Sequence, residues 1–416
     1  MTHFGIISPP VAGHIHPFAA LGRELISRGH RVTYLQMVDL EQKIRSEGID
    51  FEPIGLRDHP RGSLPQSLAQ LGQLAGQKAL KFTIQAVART SVMVCRDAPE
   101  AIRRLGIDAL LVDQMEPAGG AVADHAGVPF FTVCNALPVN RDRVAPPAFA
   151  PWAYRQTWWA PMRNVVGYAV SDWMTRPIAR VVADYRKQWK LPPLASADDS
   201  FSKRAQICQM PRAFDFPREG LAKTFHYVGP LRRAKAEQVP FPWERLDGRP
   251  IVYGSLGTLQ GAREHVFRCF AEASDELNMQ LVISHGGGLT PAQAARLPGN
   301  PIVVPYAPQE ELLRRAQLTF THAGLNTVLD SMTYGVPMVA VPITFEQPAI
   351  ARRVERAGVG ASIPLPQLTA RSLRTVAFDV AHMRTYRENA SLLQRGISEC
   401  AGVLTASDII EKLMLA

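Results

Sequence analysis

The sequence predicts an α/β fold composed of two Rossmann-like halves that face each other across a cleft, and two patterns in its 416 residues indicate this fold. Short apolar runs alternate with helical stretches through the first 135 residues, and a similar alternation begins again after residue 250. Strands that are separated by helices pair in parallel, so each half should form a sheet covered by helices. Such sheets bind ligands at the carboxyl ends of their strands, and we therefore expect functional residues in the loops that follow them.

The first half begins with a buried strand at residues 3–8, which is followed by a helix at residues 17–29. Phe18 and Leu21 lie on one face of this helix, and Gly29 is a typical helix stop. The next predicted elements, in chain order, are a strand at 31–36, a short helix at 40–47, a strand at 109–112, a helix at 119–126 and a strand at 129–133.

The two halves are separated by a segment rich in proline and charge, residues 215–250, which we interpret as a linker. The second half is predicted to contain strands at 250–255, 280–284, 302–306 and 318–321, a helix at 326–334, a strand at 338–342 and a final helix at 406–414. These elements predict one unit over residues 1–230, a second over 231–395, and a C-terminal helical segment, 396–416, that packs back on the first unit.

The composition is that of an ordinary globular protein, since 46% of the residues are hydrophobic and 20% are charged. No apolar run reaches the roughly 18 residues that a membrane span requires, and the first residues lack the pattern of a signal peptide. The five cysteines are far apart and show no CxxC spacing, which favours free thiols and disfavours a structural zinc site. We therefore expect a cytoplasmic protein.

The net charge of +9 is concentrated in residues 141–190, which contain nine Lys or Arg and three Asp. Trp152, Trp158, Trp159 and Trp173 lie close together in this segment. A basic, tryptophan-rich segment is typical of contact with an anionic membrane surface, a nucleic acid or a large amphipathic ligand. The alternative is a set of helices whose arginines extend over a buried aromatic face. The sequence leaves both interpretations open.

The loop after the first strand, residues 8–17, contains a candidate general base. Gly13 allows a sharp turn and Pro17 suits the first turn of the next helix, which places His14 at the mouth of the crevice. A neutral imidazole is the usual general base near pH 7, with His16 as a competing candidate and a purely structural histidine as the alternative. The loop lacks the Gly-x-Gly-x-x-Gly fingerprint, which disfavours an NAD-dependent dehydrogenase.

Asp113 follows the strand at 109–112 and is predicted to face the same crevice as His14. A histidine base requires a group that holds its tautomer and stabilises the imidazolium, and a carboxylate at this place fits that role. The alternative is a helix N-cap or an ordinary loop residue. The sequence contains no Gly-x-Ser-x-Gly motif, which argues against a hydrolase.

The densest group of polar residues lies in the second half, between Tyr306 and Gln347. A strand ends near residue 321, and the free amides at the start of the next helix form an anion site beside Gly324, which carries no side chain. Such a site suits a diphosphate, while Asp330 suits ribose hydroxyls and Tyr306 offers a flat face to a base. The further polar candidates are Gln309, His322, Asn326, Thr327, Glu346 and Gln347. The alternative is a capped helix with a buried histidine.

His322-Ala323-Gly324-Leu325-Asn326-Thr327 resembles the His-Cys-Gly-Trp-Asn-Ser donor signature of the family 1 glycosyltransferases, which have the GT-B fold. Gly13-His14 and Asp113 are similar to the catalytic pair of that family, and Ser255-Leu256-Gly257-Thr258 is similar to its Ser-Phe-Gly-Ser loop. The resemblance covers nearly the whole chain and implies that residues 1–230 bind the acceptor and residues 231–395 a nucleotide sugar. The donor-binding residues that it implies are Ser255, Thr258, Tyr306, Gln309, His322, Gly324, Leu325, Asn326, Thr327, Asp330, Glu346 and Gln347.

The resemblance implies an inverting, metal-independent transfer of glucose from UDP-glucose to a hydroxyl of a lipophilic acceptor, with no cofactor besides the UDP-sugar. Residues 112–119, 136–141 and 255–261 resemble the zeaxanthin glucosyltransferases of bacterial carotenoid pathways. We therefore expect a carotenoid acceptor, peripheral contact of residues 141–190 with the inner membrane face, and no nucleic-acid partner. The alternatives are a phenolic, polyketide or macrolide acceptor, a UDP-sugar epimerase, or a catalytically silent lipid- or nucleotide-binding protein.

Three positions depart from the family pattern. Leu325 and Tyr306 replace tryptophans, which removes a contact with the donor sugar and reduces stacking on the base. Glu346 replaces an aspartate and is longer, whereas Gln347 and Asp330 support UDP-glucose as the predicted donor. His285, which ends another strand ahead of three glycines, is either a further contact with the nucleotide or part of a glycine-rich turn.

Overall fold

The computed structural model describes residues 1–74, 76–232 and 239–415. Within these ranges the first sheet contains seven strands: β1 (His3–Ile7), β2 (Arg31–Gln36), β3 (Asp50–Pro53), β4 (Ala109–Asp113), β5 (Phe130–Cys134), β6 (Gln206–Cys208) and β7 (Phe225–Tyr227). They pair in parallel in the order β3-β2-β1-β4-β5-β6-β7. The order reverses between β1 and β4, and the carboxyl ends of these two strands flank the crevice where such sheets bind ligands.

The second sheet, in the same described residues, contains six strands: β8 (Ile251–Ser255), β9 (Gln280–Ser284), β10 (Ile302–Val304), β11 (Ala316–Thr321), β12 (Met338–Ala340) and β13 (Gly360–Ser362). They are also parallel and follow the order β10-β9-β8-β11-β12-β13. The reversal lies between β8 and β11, so the loops after these strands are positioned to hold a ligand.

Helices connect the strands of both sheets. In the first half they are α1 (Ala12–Ser27), α2 (Glu41–Ser46), α3 (Ser63–Gln73), α4 (Gly76–Leu105), α5 (Gly119–Ala126) and α6 (Ala160–Gln188). After residue 250 they are α7 (Glu264–Glu276), α8 (Pro291–Ala295), α9 (Gln309–Leu313), α10 (Leu325–Thr333), α11 (Gln347–Arg356), α12 (Ala370–His382), α13 (Arg384–Ser398) and α14 (Val403–Met414).

The prediction of two Rossmann-like halves is confirmed by the two parallel sheets. The predicted helix at 119–126 and the predicted strand at 280–284 have the same bounds as α5 and β9. Strands β3, β6, β7 and β13 contain only three or four residues each and were not predicted from the sequence. The long helices α4 and α6 were not predicted either, and β7 lies inside the segment that was interpreted as a linker.

Helix α1 begins at Ala12, five residues before the predicted start, so Pro17 lies inside the helix and the prediction of its first-turn position is wrong. Proline has no backbone N–H, and the carbonyl four residues earlier therefore lacks its usual helical donor. That carbonyl belongs to Gly13, and it accepts a hydrogen bond of 2.9 Å from Nδ2 of Asn326 at the start of α10. The proline thus frees an acceptor that joins the two halves.

Helix α14 packs on the first half of the molecule. Its Ile410 is fully buried in the hydrophobic core of the first sheet, and Arg28 of α1 forms ion pairs of 2.6 Å with Asp408 and Glu411. The division of the chain at residues 230 and 395 stays a prediction. Among the described helices, none is both long enough and apolar enough to cross a membrane.

Candidate active site

A continuous cleft of about 2500 Å³ runs between the carboxyl ends of the two sheets. Typical small-molecule pockets have volumes of roughly 300–1,000 Å³, so this cleft has room for two substrates. One end is lined by the loops after β8, β10, β11 and β12, and the other by helices α3, α4 and α6. The loops after β1 and β4 lie between these two ends.

His14 lines this cleft and contacts the buried Asp113, although 99 positions separate the two residues in the sequence. Nδ1 of His14, in the first turn of α1, lies 2.8 Å from Oδ2 of Asp113 at the end of β4. The same carboxylate accepts hydrogen bonds from Nδ2 of Asn135 (2.9 Å) and from the backbone N–H of Met115 (2.8 Å). A carboxylate held by three donors fixes the imidazole so that Nδ1 carries the proton and Nε2 is the basic atom. The contact with Asp113 favours His14 over His16 as the candidate base.

The electrostatic surroundings raise the pKa of His14 above its ordinary value. Burial alone would lower this pKa, but the charge and hydrogen bond of Asp113, together with the charge of Glu346, more than compensate. Glu346 immediately precedes α11 in the second half, so a carboxyl group from the opposite side of the cleft acts on the base. Burial raises the pKa of Glu346, and the interaction with His14 opposes that rise.

The turn between β11 and α10 forms the centre of the predicted donor site. Ala323 adopts a left-handed conformation (φ +64°), and α10 then begins at Leu325 with Gly324 ahead of it. A Cβ on Gly324 would lie 2.5 Å from Cε1 of His322, so only glycine allows this ring position. The free N–H groups of the first turn of α10 line the cleft beside the ring.

The surroundings of His322 differ from those of His14, because its ring bonds to the backbone of Ser255 and not to a carboxylate. Its imidazole packs against Gly257 and Gly324, and burial lowers its pKa to about 4. The ring is therefore neutral at physiological pH. Its Nδ1 is buried and has no hydrogen-bond partner among the residues that the structure describes. A neutral imidazole with one unused nitrogen is able to bond to a ligand in the cleft.

Asp330 is already engaged by protein groups. Its Oδ1 accepts a hydrogen bond of 2.6 Å from Nε of Arg232, and its Oδ2 accepts one from Nε2 of Gln309. Gln309 is in turn fixed by the hydroxyl of Tyr253, which donates to its Oε1 at 2.9 Å. Each carboxylate oxygen can accept a second hydrogen bond, so this arrangement orients Asp330 towards the cleft and leaves capacity for ribose hydroxyls.

Three other predicted donor residues also have structural roles. Asn326 bridges the halves, because its Nδ2 donates to Gly13 and its Oδ1 accepts from Nε2 of Gln209 at 3.1 Å. Gln347 uses its Oε1 to accept from the backbone N–H groups of residues 343 and 344, at 2.9 and 2.8 Å, and so holds the loop before α11. Ser255 accepts from the N–H of Gly257 at 3.2 Å.

The remaining predicted residues all line the cleft. Tyr306 is 57% exposed at its rim, where a nucleobase has room to stack, and Leu325 is buried at the start of α10. Thr258 and Thr327 lie near the same turn. His285 is the exception among the candidates, since it is buried beside the cleft and its Nδ1 accepts a hydrogen bond of 3.0 Å from the N–H of Leu289. The structure therefore assigns it to the glycine-rich turn.

The end of the cleft that lies in the first half has an apolar lining. Helices α3, α4 and α6 contribute this lining. The apolar lining residues include Leu68, Leu71, Leu80, Phe82, Ile84, Val87, Val166, Val170, Met174 and Ile178. We call this part of the cleft the apolar arm. The apolar arm was not predicted from the sequence, because its side chains face a cleft and not a core and therefore show no simple core pattern.

Each of the two interpretations of residues 141–190 fits some of the tryptophans in this segment. Trp152 packs against Gly167 and lies under the guanidinium of Arg163, 4.9 Å from the ring centroid, as the interpretation of arginines over a buried aromatic predicts. Trp158 and Trp173 do not fit that interpretation, because they are 87% and 71% exposed. Trp158, which lies two residues before α6, and the exposed α6 residues form one apolar stripe, which we call the α6 apolar face. It consists of Trp158, Met162, Val165, Val166, Val170 and Trp173.

Comparison with known proteins adds to this geometry. The chain matches the family model described as "UDP-glucoronosyl and UDP-glucosyl transferase" over residues 77–397, and the glycosyltransferase family 28 N-terminal domain over residues 11–109. It is 37% identical to a zeaxanthin glucosyltransferase of Pantoea ananas, with 100% of this chain and 96% of that protein covered. A zeaxanthin glucosyltransferase of Pseudescherichia vulneris is 34% identical, with 99% and 98% covered.

Solved structures show the same fold. The calicheamicin glycosyltransferase CalG4 superposes with a TM-score of 0.76 at 22% sequence identity, covering 100% of this chain and 98% of that one. The glycosyltransferase of kitacinnamycin superposes with a TM-score of 0.77 at 23% identity, covering 99% of both chains.

Proposed function

The chain belongs to the family of UDP-glucoronosyl and UDP-glucosyl transferases, and from this premise we propose that it transfers glucose from UDP-glucose to a hydroxyl group of a lipophilic acceptor. The fold is GT-B, as the sequence predicted, and the protein is a glycosyltransferase. One observation carries the proposal: His14, which is bonded to Asp113, lines a single cleft together with the polar loops of the second sheet and the apolar arm. A base at that junction is placed between a donor and an acceptor.

The proposed reaction is a single in-line displacement. Nε2 of His14 removes the proton of the acceptor hydroxyl, and Asp113 stabilises the imidazolium that forms. The hydroxyl oxygen attacks the anomeric carbon of glucose as the bond to the diphosphate breaks, which inverts the configuration at that carbon. UDP leaves towards the start of α10, where backbone N–H groups and the neutral His322 stabilise the diphosphate. We propose that these groups make a metal ion or other cofactor unnecessary.

The apolar arm supports a lipophilic acceptor, and two full-length relatives are named zeaxanthin glucosyltransferases. We therefore propose a carotenoid such as zeaxanthin. Incubation of the purified protein with UDP-glucose and zeaxanthin should give a product that is heavier by one hexose, detected by mass spectrometry, with a β-glucosidic linkage by NMR. EDTA should leave the rate unchanged. If glucose is transferred to phenolic, polyketide or macrolide alcohols and not to zeaxanthin, the assignment of a carotenoid acceptor is wrong. Interconversion of UDP-sugars without transfer would contradict the proposed reaction.

We further propose that the α6 apolar face docks reversibly on the cytoplasmic face of a membrane. Exposed basic residues flank this face at Arg155, Arg176 and Arg180, and each basic group near an anionic leaflet contributes about 1 kcal/mol to binding. Val166 and Val170 belong both to this face and to the lining of the apolar arm. An acceptor dissolved in the bilayer therefore has an apolar route into the cleft.

Co-sedimentation with vesicles tests the docking. Binding should increase with the fraction of anionic lipid and decrease with salt. It should fall in a Trp158→Ala/Trp173→Ala variant, and a Phe378→Ala variant, which removes an exposed aromatic residue of α12, is the matched control. Absence of wild-type binding to anionic vesicles at low salt would contradict the docking without affecting the proposed reaction.

A further inference from the structure

A second buried acid, Glu116, lies three positions after Asp113 in the turn that follows β4 and has no part in the reaction as proposed above. It is 4% exposed and lines the cleft, and its Oε1 has no hydrogen-bond partner among the described residues. Buried polar atoms are almost always hydrogen-bonded, and an unpartnered one in a ligand cleft indicates a partner that arrives with the ligand. The sequence analysis did not single out this residue.

The backbone fixes the position of Glu116 relative to Asp113. The N–H of Glu116 donates to the carbonyl of Asp113 at 2.9 Å, and the N–H of Gly119 donates to the carbonyl of Glu116 at 3.2 Å. Oδ1 of Asp113 also accepts from the N–H of Met115, so the whole turn after β4 is held by hydrogen bonds. The carboxyl of Glu116 is thus placed reproducibly within electrostatic range of the carboxylate that orients the base.

Glu116 is surrounded by groups that disfavour its ionised form. Burial raises its pKa to about 8, and the negative charge of Asp113 contributes to that rise, while the backbone N–H of Ala118 opposes it. The buried thiol of Cys95 on α4 also interacts with Glu116, and this thiol is neutral at physiological pH because burial raises its pKa to about 12. A carboxyl group in this environment retains its proton at neutral pH and is able to donate a hydrogen bond.

We propose that Glu116 is a specificity-determining residue that donates a hydrogen bond from its neutral carboxyl group to the oxygen of the acceptor hydroxyl. This inference rests on the proposed function. When Glu116 donates to that oxygen, the hydroxyl hydrogen stays free to point at Nε2 of His14. An ionised Glu116 would instead accept a hydrogen bond from the hydroxyl and so turn its hydrogen away from the base. The site therefore selects an alcohol and disfavours a hydrocarbon end group.

Kinetics of Glu116→Gln and Glu116→Val test the proposal, because glutamine still donates and never ionises, whereas valine cannot donate. With saturating UDP-glucose, Glu116→Val should raise the KM for the acceptor roughly 3- to 10-fold and leave the donor KM unchanged. Wild-type kcat/KM should fall above a pH of about 8, where Glu116 ionises, and Glu116→Gln should lack this fall. An acceptor KM that Glu116→Val does not change, or an alkaline fall that persists in Glu116→Gln, would overturn the proposal.

Ligand binding provides a test that needs no turnover. Zeaxanthin and β-carotene, a hydrocarbon that lacks the hydroxyls, are titrated against each variant in the presence of UDP, with tryptophan fluorescence as the readout. Wild type should prefer zeaxanthin, and this preference should be roughly 3- to 10-fold smaller in Glu116→Val. An equal preference in both proteins overturns the inference. A wild type that shows the preference but transfers no glucose contradicts the proposed function and not the role of Glu116. If Glu116→Val does not fold, Glu116→Gln decides by its pH profile.

Discussion

The two halves of the cleft each present a histidine after a strand, and the environments of these two rings are opposite. His14 faces the carboxylate of Asp113, which keeps its pKa above the ordinary value, whereas His322 packs between glycines and burial lowers its pKa to about 4. The same side chain therefore suits two tasks. We propose that the ring with a carboxylate partner accepts the proton of the acceptor hydroxyl, and that the buried neutral ring contacts the diphosphate.

The largest expected effect comes from removing the base. His14→Ala should lower kcat by roughly 10²- to 10⁴-fold, because the acceptor hydroxyl then loses its proton without a positioned base. UDP affinity measured by calorimetry should stay within a few-fold, since His14 belongs to the first half. His16→Ala, two positions along the same helix, is the matched control and should retain most of the activity. Retention of more than about a tenth of the rate in His14→Ala would reject the assignment.

Removing the charge from the partner of His14 should have a smaller but more diagnostic effect. Asp113→Asn should lower kcat by roughly 10- to 10³-fold, through loss of the tautomer and of the stabilised imidazolium. Because the carboxylate raises the pKa of His14, the acidic limb of the pH–rate profile should also move to lower pH in this variant. A limb that stays at the wild-type position would show that another group titrates there.

The next largest effect should come from a change in the packing around His322. Gly324→Ala places a methyl group 2.5 Å from Cε1 of His322, so the ring or the start of α10 must move, and UDP should bind roughly 5- to 100-fold more weakly. Ala323→Gly is the matched control, because Ala323 has a positive φ that glycine adopts without strain. Calorimetry with UDP compares the two. Equal affinities in both variants would contradict the placement of the diphosphate beside this ring.

The smallest expected effect concerns Asp330, whose carboxylate already accepts from Arg232 and Gln309. Asp330→Ala should raise the KM for UDP-glucose roughly 3- to 10-fold with little change in kcat, because it removes contacts with ribose and not with the reacting atoms. Steady-state kinetics at saturating acceptor measure this split. A large fall in kcat with an unchanged donor KM would place Asp330 in the catalytic step and remove the distinction between the two halves.

Stability against pH offers a further check on the buried acids of the first half. Burial raises the pKa of Glu116 from its ordinary value of 4.5 to about 8 in the folded protein. Between these two pH values the native state therefore binds more protons than the unfolded state. The contribution of Glu116 to the free energy of unfolding should therefore be complete below about 4.5 and should be lost as the pH rises to about 8. Denaturant unfolding of wild type and Glu116→Gln at several pH values measures this difference.

Local patterns determined much of the fold and many of the candidate residues. Strands β1, β4 and β9 are buried throughout their length. A strand that is buried in this way consists mainly of apolar residues, and that run of apolar residues predicted each strand from the sequence. The turn before α10 was equally apparent, because a strand, a glycine and a helix start follow one another within a few residues. Each of these features depends on neighbours in the chain, which a sequence displays directly.

Tertiary structure alone decided the features that depend on distant parts of the chain. Strands β6 and β7 have three residues each and exist because a neighbouring strand pairs with them. The bond from Asn326 to Gly13 spans 313 positions, and Arg232, in a segment interpreted as a linker, holds Asp330. The acid form of Glu116 results from burial beside Asp113. Burial, pairing and electrostatic interaction act through space, so the sequence named the chemical groups of this site while the folded structure set their partners and their charge.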